Sequence, residues 1–264
     1  MRPLRDAVHV WLASDVATGI ELNAYTSLLD GSERARADRF HFFPDRRRFV
    51  VAHGLLRSIL GVYGYVESAP LAISRRCALC GSEDHGKPYL ALQGEPARLR
   101  FSISYCDGLV ALAFSGGREL GVDVETAKPE TAWREVAAHV FSSAEKAALD
   151  GRDADAARRG FYEVWTRKEA ASKVSGRGLT HAAEMDSCAW TYLDDGTFEV
   201  AGAGSETRWS GRDLDLKDPH FGAVAVEGRM GELSCFWTSH EEILENLRAG
   251  GSSAPRDLAG HGLG

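Results

Sequence analysis

The sequence of 264 residues contains no long uninterrupted apolar run. A helix that crosses a bilayer needs about 18 or more consecutive apolar residues. The N-terminal segment is interrupted by Asp6, His9, Ser14 and Asp15 before a signal-peptide core can form. We therefore expect neither a membrane span nor a secretory leader, and we predict a cytoplasmic location.

Cysteine is also scarce, and basic residues are fewer than acidic ones. The five cysteines are odd in number and sparse for this length, which is typical of reduced thiols rather than of a disulfide framework. Acidic residues outnumber basic ones, and the formal net charge is -7. General nucleic-acid binding needs an electropositive surface, so we expect no nucleic-acid partner.

Apolar residues, in contrast, make up 44% of the chain, which is enough for the core of one large domain or two small ones. Segment 7–16 alternates apolar and polar residues and predicts a strand. Segment 28–60 predicts two helical pieces interrupted at Pro44, because proline removes a backbone donor. The second piece places its apolar residues on one helical face: Phe49, Ala52, Leu55, Leu56 and Ile59.

The middle of the chain is punctuated by glycine. Segment 75–90 is rich in glycine and cysteine and predicts a loop. Segments 99–115 and 118–125 predict three short strands joined by turns.

In the second half, Ser142 and Glu145 have the spacing of a capping box at a helix start. A longer helix is predicted over 156–176, with a stop at Gly176 and Gly178. Two strands are predicted around a turn at residues 194–196, and two more over residues 220–237.

Helical segments 48–64 and 160–176 have similar lengths and similar flanking strands, which favours two similar α+β halves. We assign residues 1–118 to an N-terminal half with a basic helix, and residues 119–248 to a C-terminal half. Residues 249–264 lack apolar periodicity, so we predict a disordered tail.

Two carboxylates lie two residues apart in the strand-like run at residues 121–125. The strand period of two puts Asp123 and Glu125 on one face and the intervening valines on the other. A lone pair of this kind is more often solvated on an edge strand. Because this run follows an apolar strand, we expect it inside a sheet, where like charges are unfavourable unless a cation is bound. Carboxylate oxygens are ligands that Mg²⁺ prefers.

Another acid lies on the predicted helix 156–176. Glu169 and Lys173 are four residues apart and therefore share a helix face. An ordinary surface ion pair at this spacing contributes only ~0.3–0.5 kcal/mol. Phe161, Trp165 and Ala170 should anchor this helix to a core, so we interpret the pair as a fixed carboxylate and ammonium that would bind metal and phosphate.

These two patterns together resemble the signature motifs of the 4'-phosphopantetheinyl transferase superfamily. The matching stretches are "LGVDVE" at residues 120–125 and "WTRKEAASK" at residues 165–173, about 40 residues apart. Further matches are "GKP" at residues 86–88, the strand at 101–114 and the arginine-rich helix at 45–57. The length resembles the large monomeric type, which acts on polyketide, peptide and fatty-acid carrier proteins.

The resemblance implies an enzyme that moves the phosphopantetheine arm of coenzyme A onto a serine of apo acyl or peptidyl carrier proteins and releases adenosine 3',5'-bisphosphate. It implies two α/β-sandwich halves in a pseudo-symmetric monomer, with coenzyme A between them. By carry-over, Asp123, Glu125 and Glu169 would hold Mg²⁺. Glu169 would also deprotonate the serine, directly or through a water, and Lys173 would neutralise or protonate the departing phosphate.

Coenzyme A itself would contact the positions that match the family's binding residues: Arg48, Gly86, Lys87, Pro88, Ser104 and Tyr105. Arg46 and Arg47 adjoin Arg48, so any of these three arginines could face the ligand. Tyr105 departs from the histidine that is common in the family, and Ser102 departs from the usual asparagine. A phenol donates a hydrogen bond to phosphate but carries no positive charge.

Two other functions share some of these features. A metal-dependent phosphodiesterase or nuclease also uses acids and a lysine, but there the acid and lysine usually alternate on a strand. A non-catalytic carrier-protein binder would keep the fold, and the intact acids and lysine argue against it.

A separate feature is the segment 77–85, which has the spacing of half a zinc site. Cys77 and Cys80 are followed by His85, and Cys106 or a histidine such as His41 would complete a site only through the fold. We favour plain reduced thiols in a surface loop over a zinc site.

Overall fold

The computed structural model describes residue 4 and residues 6–65, 72–83, 85–92, 95–177, 188–201 and 208–248. The predicted disordered tail and the predicted stop at Gly178 lie outside these residues. Among the helices of the described ranges, none is long and apolar enough to cross a membrane.

The first part of the chain places helices between strands. In chain order its elements are β1 (Val8–Ala13), α1 (Gly19–Leu28), α2 (Gly31–Ala37), α3 (Phe43–Val62), β2 (Ala72–Arg76), β3 (Lys87–Leu92), β4 (Glu95–Pro96), β5 (Leu99–Cys106) and β6 (Leu109–Gly116). The second part follows with β7 (Leu120–Thr126), α4 (Trp133–Val140), α5 (Ser143–Leu149), α6 (Ala154–Ser175), β8 (Ala189–Tyr192), β9 (Thr197–Ala201), β10 (Arg208–Asp213), β11 (His220–Glu227), β12 (Leu233–Trp237) and α7 (His240–Arg248).

The strands of the described residues form three sheets, which confirms the predicted α+β class. Their orders are β12-β1-β6-β5, β7-β11-β10-β9-β8 and β2-β3-β4. Helix α3 packs on the first sheet at β5 and β6, and helix α6 packs on the second at β7, β10 and β11. Pseudo-symmetry between the halves stays a prediction.

The two long helices follow their apolar patterns. All five residues of the predicted face of α3 are buried. Helix α6 buries Ala170, Ala171 and Val174 in a cluster with the alanines at 223 and 225 of β11. It ends at Gly176, whose φ of 70° is the left-handed conformation that glycine adopts without strain.

Two local predictions are corrected in their bounds. The two predicted helical pieces are present as α2 and α3, but the break between them lies at residues 38–42. Pro44 lies in the first turn of α3, where the missing amide hydrogen is not needed. The predicted loop over 75–90 is shorter, because Lys87–Leu92 forms β3 and pairs antiparallel with β2. Leu90 and Ala91 are buried there, so apolar burial outweighs the loop-forming residues before them.

The C-terminal segment returns to the first sheet. The predicted strands over 220–237 are both present, but β12 pairs with β1 in parallel rather than with β11. Helix α7 then contacts α1 and α3, and its His240 Nδ1 lies 2.9 Å from the Tyr25 hydroxyl. The boundary at residues 118 and 119 stays a prediction, and part of the segment that follows it packs against N-terminal elements.

Gly121 sets how closely β7 approaches α6. A Cβ atom at this position would come within 3.0 Å of the Ala170 carbonyl oxygen and of the Lys173 Cβ atom. Because that oxygen is helix backbone and cannot rotate away, we expect Gly121→Ala to lower the free energy of unfolding by roughly 1–3 kcal/mol. Urea denaturation measures this change. Gly61→Ala is the matched control, since a Cβ atom there meets nothing within 4 Å, and equal stability of the two variants would contradict the prediction.

Candidate active site

Two serine hydroxyls join the first two sheets where β5 runs beside β7. The Val122 amide donates to Ser102 Oγ at 3.1 Å, and the Val124 amide donates to Ser104 Oγ at 3.3 Å. Both serines are buried. The small hydroxyl at position 102, where the sequence departs from the family's asparagine, therefore satisfies a backbone donor of the strand that carries Asp123.

A cavity of about 570 Å³ opens at this junction, a volume in the range of small-ligand sites. It is lined from both sides of the predicted boundary. The N-terminal contributors that bear on the argument are Arg36, Arg75, Lys87, Ser104 and Tyr105, and α6 contributes Glu169, Ser172 and Lys173. Lys87 and Glu169 thus face the same cavity, as a ligand held between the two parts requires.

Asp123 lies at the centre of the junction and is only 4% exposed. Its Oδ1 accepts from Ser104 Oγ at 3.0 Å and from Lys173 Nζ at 2.7 Å. Its Oδ2 is buried and has no hydrogen-bond partner among the described residues. A buried carboxylate oxygen in this state is unfavourable unless a cation or a proton is bound.

Lys173 is anchored to β7. Its ammonium contacts Asp123 and also donates to the Val122 carbonyl at 3.0 Å and to Ser104 Oγ at 3.1 Å. These three acceptors use all three of its donors. The interpretation as a solvated ion pair within the helix therefore does not describe this lysine.

Glu125 follows Asp123 on the same strand and is held by the helix motif. The Trp165 Nε1 donates to Glu125 Oε1 at 3.1 Å. Glu125 and Trp165 line a second cavity of about 340 Å³, which also includes Arg48 and Tyr105. Because Tyr105 lines both cavities, the two adjoin at this side chain.

The pKa values of all three acids are raised, and burial is the largest cause for each. Burial raises the pKa of Asp123. Burial and then the charge of Asp123 raise the pKa of Glu125, and the same two causes raise the pKa of Glu169 to about 7. Mutual repulsion of this kind is what a bound cation relieves, and three carboxylates are a hard-oxygen donor set of the kind that Mg²⁺ prefers.

The carboxylate oxygens of Asp123, Glu125 and Glu169 do not, however, form a compact group. Within the described ranges, the one group of three acidic, cysteine or histidine side chains whose ligand atoms all lie within 4.8 Å of one another is Cys77, Cys80 and His85. Lys173 occupies the position beside Asp123, so the lysine neutralises this carboxylate in the structure.

The predicted coenzyme A residues divide between the two cavities. Gly86, Lys87, Pro88, Ser104 and Tyr105 line the larger one. Lys87 Nζ pairs with Glu119 at 2.5 Å, and burial lowers its pKa. Gly86 has a φ of 107°, and a Cβ atom there would collide with the backbone of residues 76 and 77, so this position requires glycine.

Arg48 lies apart from that set. It lines the smaller cavity and pairs with three carboxylates: Asp15 at 3.2 Å, Asp45 at 3.1 Å, and Asp107. Its role in coenzyme A binding stays a prediction.

Sequence reasoning missed two arginines of the larger cavity. Arg36 is exposed on α2, and Arg75 is half-buried on β2. Burial and the nearby charge of Arg36 lower the pKa of Arg75, so the two cations lie close enough to repel each other. The charges of both arginines, together with those of Arg48 and Lys173, also act on Tyr105, whose pKa burial raises. This group of cations favours a polyanionic ligand.

Comparison with known proteins agrees with this arrangement. A model of the 4'-phosphopantetheinyl transferase superfamily matches residues 119–225. The chain is 31% identical over 234 residues to the 4'-phosphopantetheinyl transferase HetI of a Nostoc species, covering 89% of this chain and 93% of that protein. It is 26% identical over 180 residues to the 4'-phosphopantetheinyl transferase Sfp of Bacillus subtilis, covering 68% of this chain and 74% of Sfp. Over 100 residues it is 36% identical to the 4'-phosphopantetheinyl transferase AcpT of Escherichia coli, covering 36% and 51% of the two chains.

Proposed function

The chain belongs to the 4'-phosphopantetheinyl transferase superfamily, and from that premise we propose that it transfers the arm of coenzyme A to a serine of apo acyl or peptidyl carrier proteins. Adenosine 3',5'-bisphosphate is the second product. The observation that carries the proposal is the shared cavity, where cations suited to phosphates adjoin Glu169 and a lysine anchored to the buried Asp123.

Coenzyme A binds in the larger cavity in this proposal. Its 3'-phosphate and diphosphate are polyanionic, and the cavity is lined by the guanidinium groups of Arg36 and Arg75 and by the amine of Lys87. Tyr105 and Ser104 supply neutral hydroxyl donors beside them. Gly86 and Pro88 shape the loop against the nucleotide, because the backbone at Gly86 leaves no room for a side chain.

The acid cluster fits Mg²⁺ by its chemistry. Asp123, Glu125 and Glu169 would hold the ion, and the unpartnered Asp123 Oδ2 is the strongest sign that a cation belongs beside it. When bound, Mg²⁺ supplies charge neutralisation on the diphosphate. Because Lys173 contacts Asp123 Oδ1, the other oxygen of this carboxylate is the one left for a metal.

The chemical step transfers a phosphoryl group to a hydroxyl. Glu169 accepts the proton of the carrier-protein serine, directly or through a water, since its pKa of about 7 suits a base that works near neutral pH. The serine oxygen forms a bond to the phosphorus of the phosphopantetheine arm, and the bond from this phosphorus to the bridging oxygen breaks. Lys173 neutralises or protonates that oxygen as it departs on the nucleotide.

The direct test is incubation with coenzyme A, Mg²⁺ and a panel of apo carrier proteins. Intact-protein mass spectrometry should show the mass gain of the phosphopantetheine arm on a carrier protein. Replacing the acceptor serine of that carrier protein with alanine should remove the gain. Carrier binding without a mass gain would instead indicate a non-catalytic binder. Release of phosphopantetheine to water, with no modified carrier, would indicate a phosphodiesterase.

Replacing Arg75 tests whether the larger cavity binds the phosphates of coenzyme A. We expect Arg75→Ala to raise the KM for coenzyme A by roughly 10- to 100-fold with little change in kcat, because a charge-assisted hydrogen bond to phosphate contributes roughly 1.5–3 kcal/mol. Steady-state kinetics with varied coenzyme A measure this. Arg98→Ala is the matched control, since Arg98 is exposed and does not line the larger cavity. An unchanged KM in Arg75→Ala would place the phosphates elsewhere.

A further inference from the structure

The connection between β2 and β3 gathers three metal-ligating side chains. Arg76 pairs with Lys87 at the base of this hairpin, so Cys77 follows the last residue of β2 and His85 lies two residues before β3. Cys80 lies between them. Cys77 is buried, whereas Cys80 and His85 are exposed.

Their ligand atoms form a compact cluster. All lie within 4.8 Å of one another, and Cys80 Sγ is 3.5 Å from His85 Nε2. The cysteines carry free thiols. Sulfur and imidazole ligands are softer than carboxylate oxygens, and this combination selects zinc over magnesium.

The backbone is folded around the Cys77 sulfur. The Gly81 amide donates to the Cys77 carbonyl at 2.9 Å, and the Cys77 amide donates to the Ser82 carbonyl at 2.8 Å. Gly81 takes a φ of 72° that closes this turn. Backbone hydrogen bonds, first at Cys80 and then at Leu79, lower the pKa of the Cys77 thiol. A turn that directs amide hydrogens at a thiolate stabilises a metal-bound sulfur.

We propose that Cys77, Cys80 and His85 bind a zinc ion that closes the connection between β2 and β3. Among the described residues these three are the protein ligands, and solvent would take the fourth tetrahedral position. Neither Cys106 nor His41 joins the group among the described residues. The site is chemically distinct from the acid cluster that would hold Mg²⁺.

The position of the site gives zinc a structural consequence. Cys77 and His85 line the larger cavity together with Gly86 and Lys87. His85 immediately precedes Gly86, so a metal that holds His85 also limits the movement of the lysine that follows. The zinc ion therefore restrains the segment of residues 85–87 that lines the cavity. Zinc binding is measurable without a transferase assay.

The test uses the full chain, purified under reducing conditions from a zinc-containing medium. Elemental analysis should find zinc in stoichiometric amount. Exchange of zinc for Co²⁺ should give the visible bands of tetrahedral cobalt and a thiolate-to-metal charge-transfer band. Cys80→Ser and His85→Gln, which alter exposed side chains and should fold normally, are expected to lose the stoichiometric zinc and to weaken or remove these bands.

Cys235→Ser is the matched control, because Cys235 is a free, exposed cysteine on β12 and should keep both zinc and the cobalt spectrum. The proposal is overturned if the wild-type chain takes up neither metal, or if Cys80→Ser keeps both the zinc and the thiolate band. Cys77→Ser adds a further variant, but its burial makes Cys80→Ser the more decisive substitution.

Discussion

Replacing Asp123 with asparagine should lower kcat for carrier-protein modification by roughly 100-fold or more, because one negative ligand leaves a site that must neutralise a diphosphate. Asparagine keeps the size of the side chain and still accepts from Ser104 and Lys173, which contact Asp123 in the wild type. Burial already raises the pKa of Asp123, so the neutral substitute should not lower the melting temperature. Kinetics at several Mg²⁺ concentrations together with thermal melting measure both effects.

The concentration of Mg²⁺ needed for half-maximal rate should also rise in Asp123→Asn. Asp155→Asn is the control, since the Asp155 side chain is 81% exposed in the first turn of α6. Full activity of Asp123→Asn at ordinary Mg²⁺ concentration, with an unchanged melting temperature, would show that Asp123 is not a metal ligand.

The local parts of the site could be predicted from the sequence because they depend on short-range periodicity. Alternation along β7 predicted Asp123 and Glu125 on one face, but β7 is the terminal strand of its sheet rather than an interior strand as expected. The apolar stripe with a terminal Gly176 predicted the end of α6. The capping box at Ser142 and Glu145 is present as predicted, with the Glu145 amide donating to Ser142 Oγ. Each of these features is decided by neighbours within one turn or one strand.

The missed parts depend on contacts between distant segments. Helical spacing suggested that Lys173 would face Glu169, but its ammonium reaches Asp123 on another element, 50 residues away in the chain. The parallel pairing of β12 with β1 joins residues 233–237 to residues 8–12, and no local pattern encodes it.

The two arginines that line the larger cavity were not predicted for a related reason. Arg36 and Arg75 belong to different elements and carry no shared motif, so only the fold shows that they line one cavity. Helix α1 was also missed, although Thr18 and Glu21 form a capping box at its start. That box is a helix-start signal in the sequence, but the residues that follow it have only a weak amphipathic pattern.

Glu169→Gln should give the other large loss, roughly 10²- to 10⁴-fold in kcat, because glutamine keeps the shape of the side chain but cannot accept a proton. A base must be ionised to act, so the wild-type rate should rise with pH through the pKa of Glu169. Burial and the charge of Asp123 raise this pKa to about 7 in the metal-free chain, and bound Mg²⁺ would move the rising limb below that value. This rising limb should be absent in Glu169→Gln. Lys173→Ala should also slow the step, and the two losses should combine less than additively if both residues act on one transition state.

As pH rises, the stability of the wild-type chain should fall while its transfer rate increases. Because the folded-state pKa of Glu169 lies above its ordinary value of 4.5, the unfolded chain releases this proton first, and wild-type stability falls as pH rises from 4.5 to about 7. Glutamine does not ionise, so without added Mg²⁺ the Glu169→Gln variant should melt at or above the wild-type temperature at pH values above this window. Glu163→Gln on the same helix is the control and should change neither property. Near-wild-type turnover of Glu169→Gln, measured with saturating coenzyme A and a carrier protein that the wild type modifies, would remove Glu169 from the chemical step.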